Sequence, residues 1–543
     1  MISKSTAVIR SRRTGIDSSN ARFYNDIDMS VFSAEREEVF MRGIPSSVTK
    51  IRKKVFTEVA RLAYDGDYDR METLPYTIVP GEGAKYRESI FLERAIVGER
   101  VRVAMGLPLR PIDHHSILSE GINESAIAEK YYEPPLINII NYACHACPTR
   151  QYRITEYCQG CLAQSCTQVC PRDAIRHVNG RAVIDQDKCI KCGKCAEACS
   201  YNAIIKLERP CQKACGMDAI GSDEQGRAKI DYDKCGSCGM CLVSCPFGAI
   251  VDKGQIFQLI HAIKRGDRVV AIVAPAFLGQ FGPEATPERL TAAMKRLGFA
   301  GVAEVAVGAD LCTIQEAKDF MAEVPHKQPF MATSCCPAWS VMAKKLFPQF
   351  ADYISMALTP MVLTARLQKQ KDPGCRVAFI GPCAAKKLEA SRRTIRSDVD
   401  FVLTFEELQG MFEAKGVRFE DIPPEEEVPL SEGTGAGRGF AVTGGVAGAV
   451  VEAIHQLDPE REVKIASAEG LDNCKKMLLM AKAGKYDGYL LEGMACPGGC
   501  VAGAGTIQPV AKSAIAVAKY SRSAQQQSAM DSHYRTDLPH LEE

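Results

Sequence analysis

The sequence predicts an α+β multidomain protein: a helical N-terminal region, a cysteine-rich middle, and a C-terminal α/β domain built on parallel sheet. Three observations predict it. Residues 1–140 hold no cysteine and place apolar residues at helical spacing among charges. Sixteen of the 24 cysteines crowd into Cys144–Cys245 with C-x2-C spacings. From residue 256 to 520, short apolar runs alternate with helical stretches, the order that builds parallel sheet. The expected boundaries are therefore 1–140, 141–255 and 256–520. Residues 521–543, polar and Gln/Ser-rich, are expected to be disordered.

A chain of 543 residues is long enough for several domains. Its formal net charge of +1 argues against a nucleic-acid or membrane-surface partner. No run of apolar residues is long enough to span a bilayer. The start, MISKSTAVIRSRR, carries positive charge but no apolar core, so no signal peptide is read there. Cysteine-dense scaffolds without an export signal point to metal in a reducing cytoplasm rather than to disulfides.

In the N-terminal region, Ser33–Arg42, Ser46–Tyr64 and Glu88–Met105 read as helices, and Pro108 and Pro111 break the chain after the last. His114 and His115 are adjacent and read as surface or capping residues.

The middle segment sorts by spacing. Cys189-x2-Cys192-x2-Cys195-x3-Cys199 resembles a bacterial ferredoxin run, in which three cysteines hold one [4Fe–4S] cluster and the fourth reaches another. Its partner run is Cys158-x2-Cys161-x4-Cys166-x3-Cys170. The crossover groups Cys170 with Cys189, Cys192 and Cys195, and Cys199 with Cys158, Cys161 and Cys166. The pattern then repeats. Cys189, Cys192, Cys195 and Cys199 recur as Cys235, Cys238, Cys241 and Cys245, and Cys166/Cys170 as Cys211/Cys215. A third group is thus Cys215, Cys235, Cys238 and Cys241. Cys211 and Cys245 lack a local C-x2-C pair; Cys144 and Cys147 complete a fourth group, unless they form a zinc site or stay free thiols. The expectation is a duplicated ferredoxin-like domain with four [4Fe–4S] clusters acting as an electron relay.

In the C-terminal domain, Val269–Val273, Val302–Val307, Pro329–Thr333, Val377–Ile380, Phe440–Thr443, Val463–Ala466 and Tyr486–Leu491 read as strands. Pro287–Leu297, Ala338–Leu346, Phe405–Lys415, Gly445–Leu457 and Gly470–Ala483 read as helices. Three cysteine motifs follow strand candidates: Thr333-Ser334-Cys335-Cys336-Pro337-Ala338-Trp339, Gly381-Pro382-Cys383-Ala384-Ala385-Lys386-Lys387-Leu388-Glu389, and Glu492-Gly493-Met494-Ala495-Cys496-Pro497-Gly498-Gly499-Cys500. In open α/β sheets, ligands bind past the C-terminal strand ends.

Together these motifs resemble the three signature loops of the [FeFe] hydrogenases, in family order. The resemblance implies a two-lobed α/β domain closing over the H-cluster, a [4Fe–4S] cubane joined to a two-iron unit with CO, CN⁻ and a dithiolate amine. Carried over by motif position, Cys336, Cys383, Cys496 and Cys500 bind the cubane, with Cys500 as the bridge. Lys386 is placed to donate to a cyanide, Lys387 fits a surface lysine, and Ala274, Pro275, Phe440 and Met494 line the cofactor. Cys335 passes protons, and Glu316, Asp319 and Ser355 extend that path outward. Gly381, Ala276, Met361 and Ala338 depart from the common pattern and make the pocket less polar. Cys312, Cys375 and Cys474 fit no motif and read as small buried hydrophobes. The implied protein is a cytoplasmic hydrogenase reversibly reducing protons to H₂, served by ferredoxin or a similar soluble carrier and by maturation proteins for the two-iron unit. The alternatives are a non-catalytic relative in iron–sulfur assembly and a redox or H₂ sensor.

Overall fold

The computed structural model describes residues 45–127, 134–392, 394–395, 398–430 and 432–542. The helix expected over Ser33–Arg42 lies outside them.

The N-terminal region is helical. Helix Ser47–Asp65 opens on a reciprocal cap: Thr49 N–H donates to Ser46 Oγ at 3.2 Å and Ser46 N–H to Thr49 Oγ1 at 2.9 Å. Gly66, at φ 78°, closes it in the left-handed conformation. Its apolar face, Val55, Phe56, Val59 and Leu62, is buried. It packs on helices Ile256–Arg265 and Phe405–Lys415 of the C-terminal domain. A second helix, Ile90–Ala104, is capped by Ser89 and packs beside it.

The cysteine-rich segment holds eight short strands: β1 (Ile137–Ile139), β2 (Gln151–Ile154), β3 (Ile175–Val178), β4 (Arg181–Ile184), β5 (Ile204–Leu207), β6 (Ile220–Ser222), β7 (Ala228–Ile230) and β8 (Ile250–Asp252). β2 pairs antiparallel with β5 around the hairpin β3–β4. β1 pairs antiparallel with β8 around the hairpin β6–β7. The two units are therefore nested. The second begins at β1, is interrupted by the whole of the first, and resumes after β5. This topology explains why Cys211 and Cys245 lack a local C-x2-C pair: the start of their unit lies upstream of the insertion.

The backbone repeats with the sequence. The amides of Ala174, Ala203, Ala219 and Ala249 each donate to the sulfur four residues back, at Cys170, Cys199, Cys215 and Cys245. Asp173, Asn202, Asp218 and Gly248 take positive φ in each of those turns.

The C-terminal domain has two parallel sheets. The first runs β10 (Gly301–Glu304), β9 (Val269–Val273), β12 (Arg376–Gly381) and β13 (Phe401–Thr404). The second runs β11 (Phe330–Ala332), β15 (Tyr489–Met494) and β14 (Lys464–Glu469). This is the two-lobed α/β architecture expected. The first sheet is covered on both faces, and β9, β12 and β13 are almost wholly buried, as continuous apolar runs in parallel sheet require.

Three expectations are corrected. Phe440–Thr443 is not a strand. Thr434 caps a short helix, Gly435–Gly439, and Phe440 ends it in helical conformation. The apolar run Val302–Val307 divides: the strand stops at Glu304, and Val305 starts a helix to Glu323 whose first turns are themselves buried. A short buried run does not separate strand from helix. The C-terminal segment is folded. Helix Val510–Arg522 continues into a return across the C-terminal domain, where Ala529, Leu538 and Leu541 are buried. The amides of Gly435 and Ala436 donate to the carbonyls of Gln526 and Gln527 at 2.8 and 2.9 Å. Polar composition hid these few apolar anchors.

Candidate functional site

The three cysteine motifs follow the C-terminal ends of β11, β12 and β15. They meet over a single cavity with about 780 Å³ of space not filled by atoms, whose walls include Cys335, Cys336, Cys383, Cys496 and Cys500. Gly498 and Gly499 take φ of 94° and 86°, which lets the third loop turn back between its two cysteines. The Ala495 amide donates to Cys336 Sγ at 3.4 Å, tying the third loop to the first. Trp339 is fully buried beneath them and donates through Nε1 to the carbonyl of Thr333 at 2.9 Å. A Cβ on Gly493 would collide with its ring.

Burial pushes the Cys383 and Cys500 thiols up to about 12, and Cys335 and Cys336 upward as well. Thiolates there need a soft cationic centre. Among the described residues no three His, Cys, Asp or Glu side chains are arranged around a single ion. The sulfurs instead surround a volume, which suits a multi-atom cluster.

Ala274, Pro275, Lys386, Phe440 and Met494 all line this cavity, as do the departures Ala276 and Met361. Gly381 has a structural reason: a Cβ there would lie 2.5 Å from the Phe379 ring, which occupies the wall instead. Lys386 is buried, forms a 2.7 Å ion pair with Glu389 and donates to Thr359 Oγ1 at 3.3 Å. Its nearest other anionic neighbours are Cys383 and Cys335. Lys387, by contrast, is no surface lysine. It is fully buried and donates to Asp252 at 2.7 Å, to Glu407 at 3.1 Å and to the carbonyl of Lys253 at 2.7 Å.

Glu316 is fully buried on helix Val305–Glu323 and accepts from the Ser334 amide at 3.3 Å, next to Cys335. Burial pushes its carboxyl up to about 7, and the Ser355 hydroxyl and Ser334 amide oppose that rise. Ser355 is buried beside it, its amide donating to the Ala332 carbonyl at 2.7 Å. Asp319 lies one turn further along the helix, half-buried, accepting from Gln315 Nε2 at 2.9 Å; it does not reach the cavity wall.

Sequence reasoning passed over Glu389, Thr359 and Glu492. Glu492 is buried and accepts from the amides of Gly444 and Ala447 at 2.8 and 3.0 Å, fixing the start of helix Gly445–Leu457 behind Met494. Glu389 and Glu492 both stand inside the quoted motifs, so their positions were readable but their partners were not.

Fifteen of the sixteen cysteines of the middle segment are brought together in four groups; Cys161, half-buried, is not among them. Cys170, Cys189, Cys192 and Cys195 line one small cavity. Cys144, Cys147, Cys211 and Cys245 line another, with His145 stacked on Phe247 at its edge. Cys166 faces Cys158 and Cys199 in the small core of the inserted unit. Cys238 and Cys241 face Cys215 and Cys235. Cys215, Cys235 and Cys238 pack with Cys336 and Cys383 against one apolar cluster, and Cys241 packs with Cys211 in another. Cys312, Cys375 and Cys474 are buried.

Residues 267–504 match the family described as the iron only hydrogenase large subunit, C-terminal domain, and residues 182–205 and 227–250 each match a 4Fe-4S binding domain. Iron hydrogenase 1 of Clostridium pasteurianum is 27% identical over 440 residues, 70% of this chain and 76% of that protein. The periplasmic [Fe] hydrogenase large subunit of Nitratidesulfovibrio vulgaris is 30% identical over 292 residues, 45% of this chain and 69% of that protein. The chain belongs to the iron-only hydrogenase family. As a member of that family it binds iron–sulfur clusters. A probable cytosolic Fe-S cluster assembly factor of Aedes aegypti is also similar, 29% identical over 278 residues, 42% of this chain and 58% of that protein. No helix among the described residues is long and apolar enough to cross a membrane.

Proposed function

We propose that this chain is a hydrogenase catalysing 2H⁺ + 2e⁻ ⇌ H₂. The observation that carries the reading is the convergence of Cys336, Cys383, Cys496 and Cys500 on one cavity that also holds Cys335 and Lys386. The group this wall fits is the H-cluster, which when bound supplies the redox chemistry at its two-iron unit. The four thiolates would hold the cubane, and Cys500 would also tether the two-iron unit. Lys386, kept cationic by Glu389, offers a charge-assisted donor to an anionic ligand of that unit. Ala274, Pro275, Ala276, Met361, Phe440 and Met494 exclude water and strengthen that interaction.

Protons move along side chains. Cys335 opens on the cavity, and Glu316, buried behind it with a carboxyl near 7, holds or releases a proton close to neutral pH. Ser355 lies beside Glu316, and Asp319 carries the path one turn outward to a half-exposed position. A bridging water completes the gap between the two carboxyls.

The four cysteine groups would hold four [4Fe–4S] clusters, which would supply an electron relay, with ferredoxin or a similar soluble carrier as partner. The shared packing of Cys238 with Cys383, and of Cys241 with Cys211, supports a relay that ends at the cavity. Maturation proteins would supply the two-iron unit, and a reducing compartment such as the cytoplasm suits 24 free cysteines.

Infrared spectroscopy of anaerobically matured protein tests the proposal: CO and CN⁻ bands together with H₂ turnover are expected. The likeness to the assembly factor favours a second reading, a non-catalytic cluster protein. A fully cluster-loaded preparation that shows no such bands and neither evolves nor consumes H₂ would establish that reading instead.

A further inference from the structure

The cysteines of the enclosing ferredoxin unit are held by arginines that have no carboxylate partner among the described residues. Arg209 is buried and donates to the Cys147 carbonyl from Nε at 3.1 Å and Nη2 at 2.9 Å, and to the Gly221 and Gly226 carbonyls at 2.8 and 2.6 Å. Arg100 is buried and donates to the Gly248 carbonyl at 2.7 Å, while its Nε has no partner. Arg87 donates to the Ala143 and Phe247 carbonyls at 3.2 and 2.9 Å. Three guanidiniums thus grip the loops bearing Cys144, Cys147 and Cys245 through neutral oxygens.

Cys245, Cys147 and Cys211, once thiolates, are the anionic groups within electrostatic reach of these cations. Burial, Arg52 and Arg87 push Arg100 down to about 10, so it stays charged at neutral pH, and Cys245 opposes that fall. Arg209 lowers Cys147 and Cys211 against the effect of burial. A buried charge without a counter-ion costs several kcal/mol, and a tetrathiolate iron–sulfur cluster is an anion that removes the cost. The other groups lack this arrangement. Arg172 and Lys194 line the cavity of Cys170, Cys189, Cys192 and Cys195 but are exposed, and Arg181, beside Cys158, is exposed and paired with Glu156.

We propose that Arg100 and Arg209 raise the reduction potential of the cluster at Cys144, Cys147, Cys211 and Cys245 above those of the other three ferredoxin-type clusters, making it the electron reservoir of the relay. The inference rests on the cluster assignment above. One electron from the soluble carrier makes the cluster more negative, and two fixed buried cations favour that reduced form. They act as tuning residues and touch no substrate.

EPR-monitored redox titration of the reconstituted full chain tests this, with a Cys144→Ser variant identifying the component that belongs to this site. Arg100→Gln and Arg209→Gln should each shift the reduced-to-oxidised ratio of that component at least tenfold toward oxidised at a fixed potential, about 59 mV for one electron, and leave the others in place. Arg100→Lys and Arg209→Lys, which keep the charge but not the hydrogen-bond pattern, should restore most of the potential. Full cluster loading with no shift in the Gln variants, equal shifts in all components, or Lys variants as shifted as Gln would overturn the proposal alone. A wild-type chain that binds no cluster at these cysteines would overturn both it and the cluster count.

Discussion

The ferredoxin-type units and the C-terminal cavity present the same ligand atom by opposite means. In the units, ligands come mainly from short turns repeated at fixed spacing, and the inserted unit has a core of only five buried side chains. In the cavity, Cys336, Cys383 and Cys496 come from strand ends far apart in sequence and spread over two sheets. Local spacing builds the first kind of site. Only a finished tertiary fold builds the second. The cavity therefore depends on residues distant from its ligands, and each prediction below tests that dependence.

The largest effect is expected inside the cavity. Cys335→Ser keeps the size of the side chain but loses the thiol, so turnover should fall about 10²–10⁴-fold, the range typical of a positioned acid–base group. The infrared bands should persist, because Cys335 is not among the four proposed ligands. Loss of the bands together with turnover would make Cys335 a structural residue.

Next comes the joint between the two regions. Lys387 ties the second loop to Asp252, the last residue of β8, and to Glu407 on helix Phe405–Lys415, while Arg52 from the N-terminal helix pairs with Asp252 at 3.3 Å. Lys387→Met leaves two buried carboxylates with less compensation, at a cost of about 3–5 kcal/mol. Thermal melting should show the loss in the catalytic domain, and a variant as stable as wild type would mean the regions are joined by apolar packing alone. A smaller effect should follow Gly493→Ala, which pushes a methyl into the Trp339 ring. Overpacking of this kind costs about 1–3 kcal/mol, read as a drop in melting temperature with the ferredoxin-type EPR signals unchanged.

The same division decides what could be read from sequence. The 46-residue shift between Cys189 and Cys235 gave the duplication, because ferredoxin turns need fixed spacing. The nesting of the units was not legible, since the pairing of β1 with β8 spans more than a hundred residues. In the catalytic domain, helices Pro287–Leu297, Phe405–Lys415 and Gly445–Leu457 match their expected limits, marked by Pro, Thr and Gly signals at their ends. Helix Val305–Glu323 is legible only at Glu316 and Asp319, which share a face at helical spacing; its first turns are buried on nearly every side and carry no amphipathic stripe to mark where it starts. Lys387 was misjudged for a related reason. A lysine beside another lysine looks solvated until two carboxylates from other segments close on it. Arg100 and Arg209 gave no signal at all, since an arginine that binds carbonyls has no sequence pattern.

The most local test of the proton path is read as a pH dependence rather than as a single loss of stability. Glu316 has its carboxyl raised to about 7 from the usual 4.5, mainly by burial. The native protein therefore holds a proton there that the unfolded chain has released. Stability is unaffected below 4.5, declines as pH rises from 4.5 towards 7, and carries the full cost above 7, with a slope of at most about 1.4 kcal/mol per pH unit. Glu316→Gln is neutral at every pH and should remove that decline, so the variant should gain in melting temperature on wild type between pH 5.5 and 8. Turnover should fall in the same variant, because an amide cannot exchange the proton between Cys335 and Ser355. A variant with lower turnover but an unchanged pH dependence of stability would mean that Glu316 is already ionised in the folded protein. It would then act through its hydrogen bond to the Ser334 amide, positioning Cys335 rather than carrying the proton.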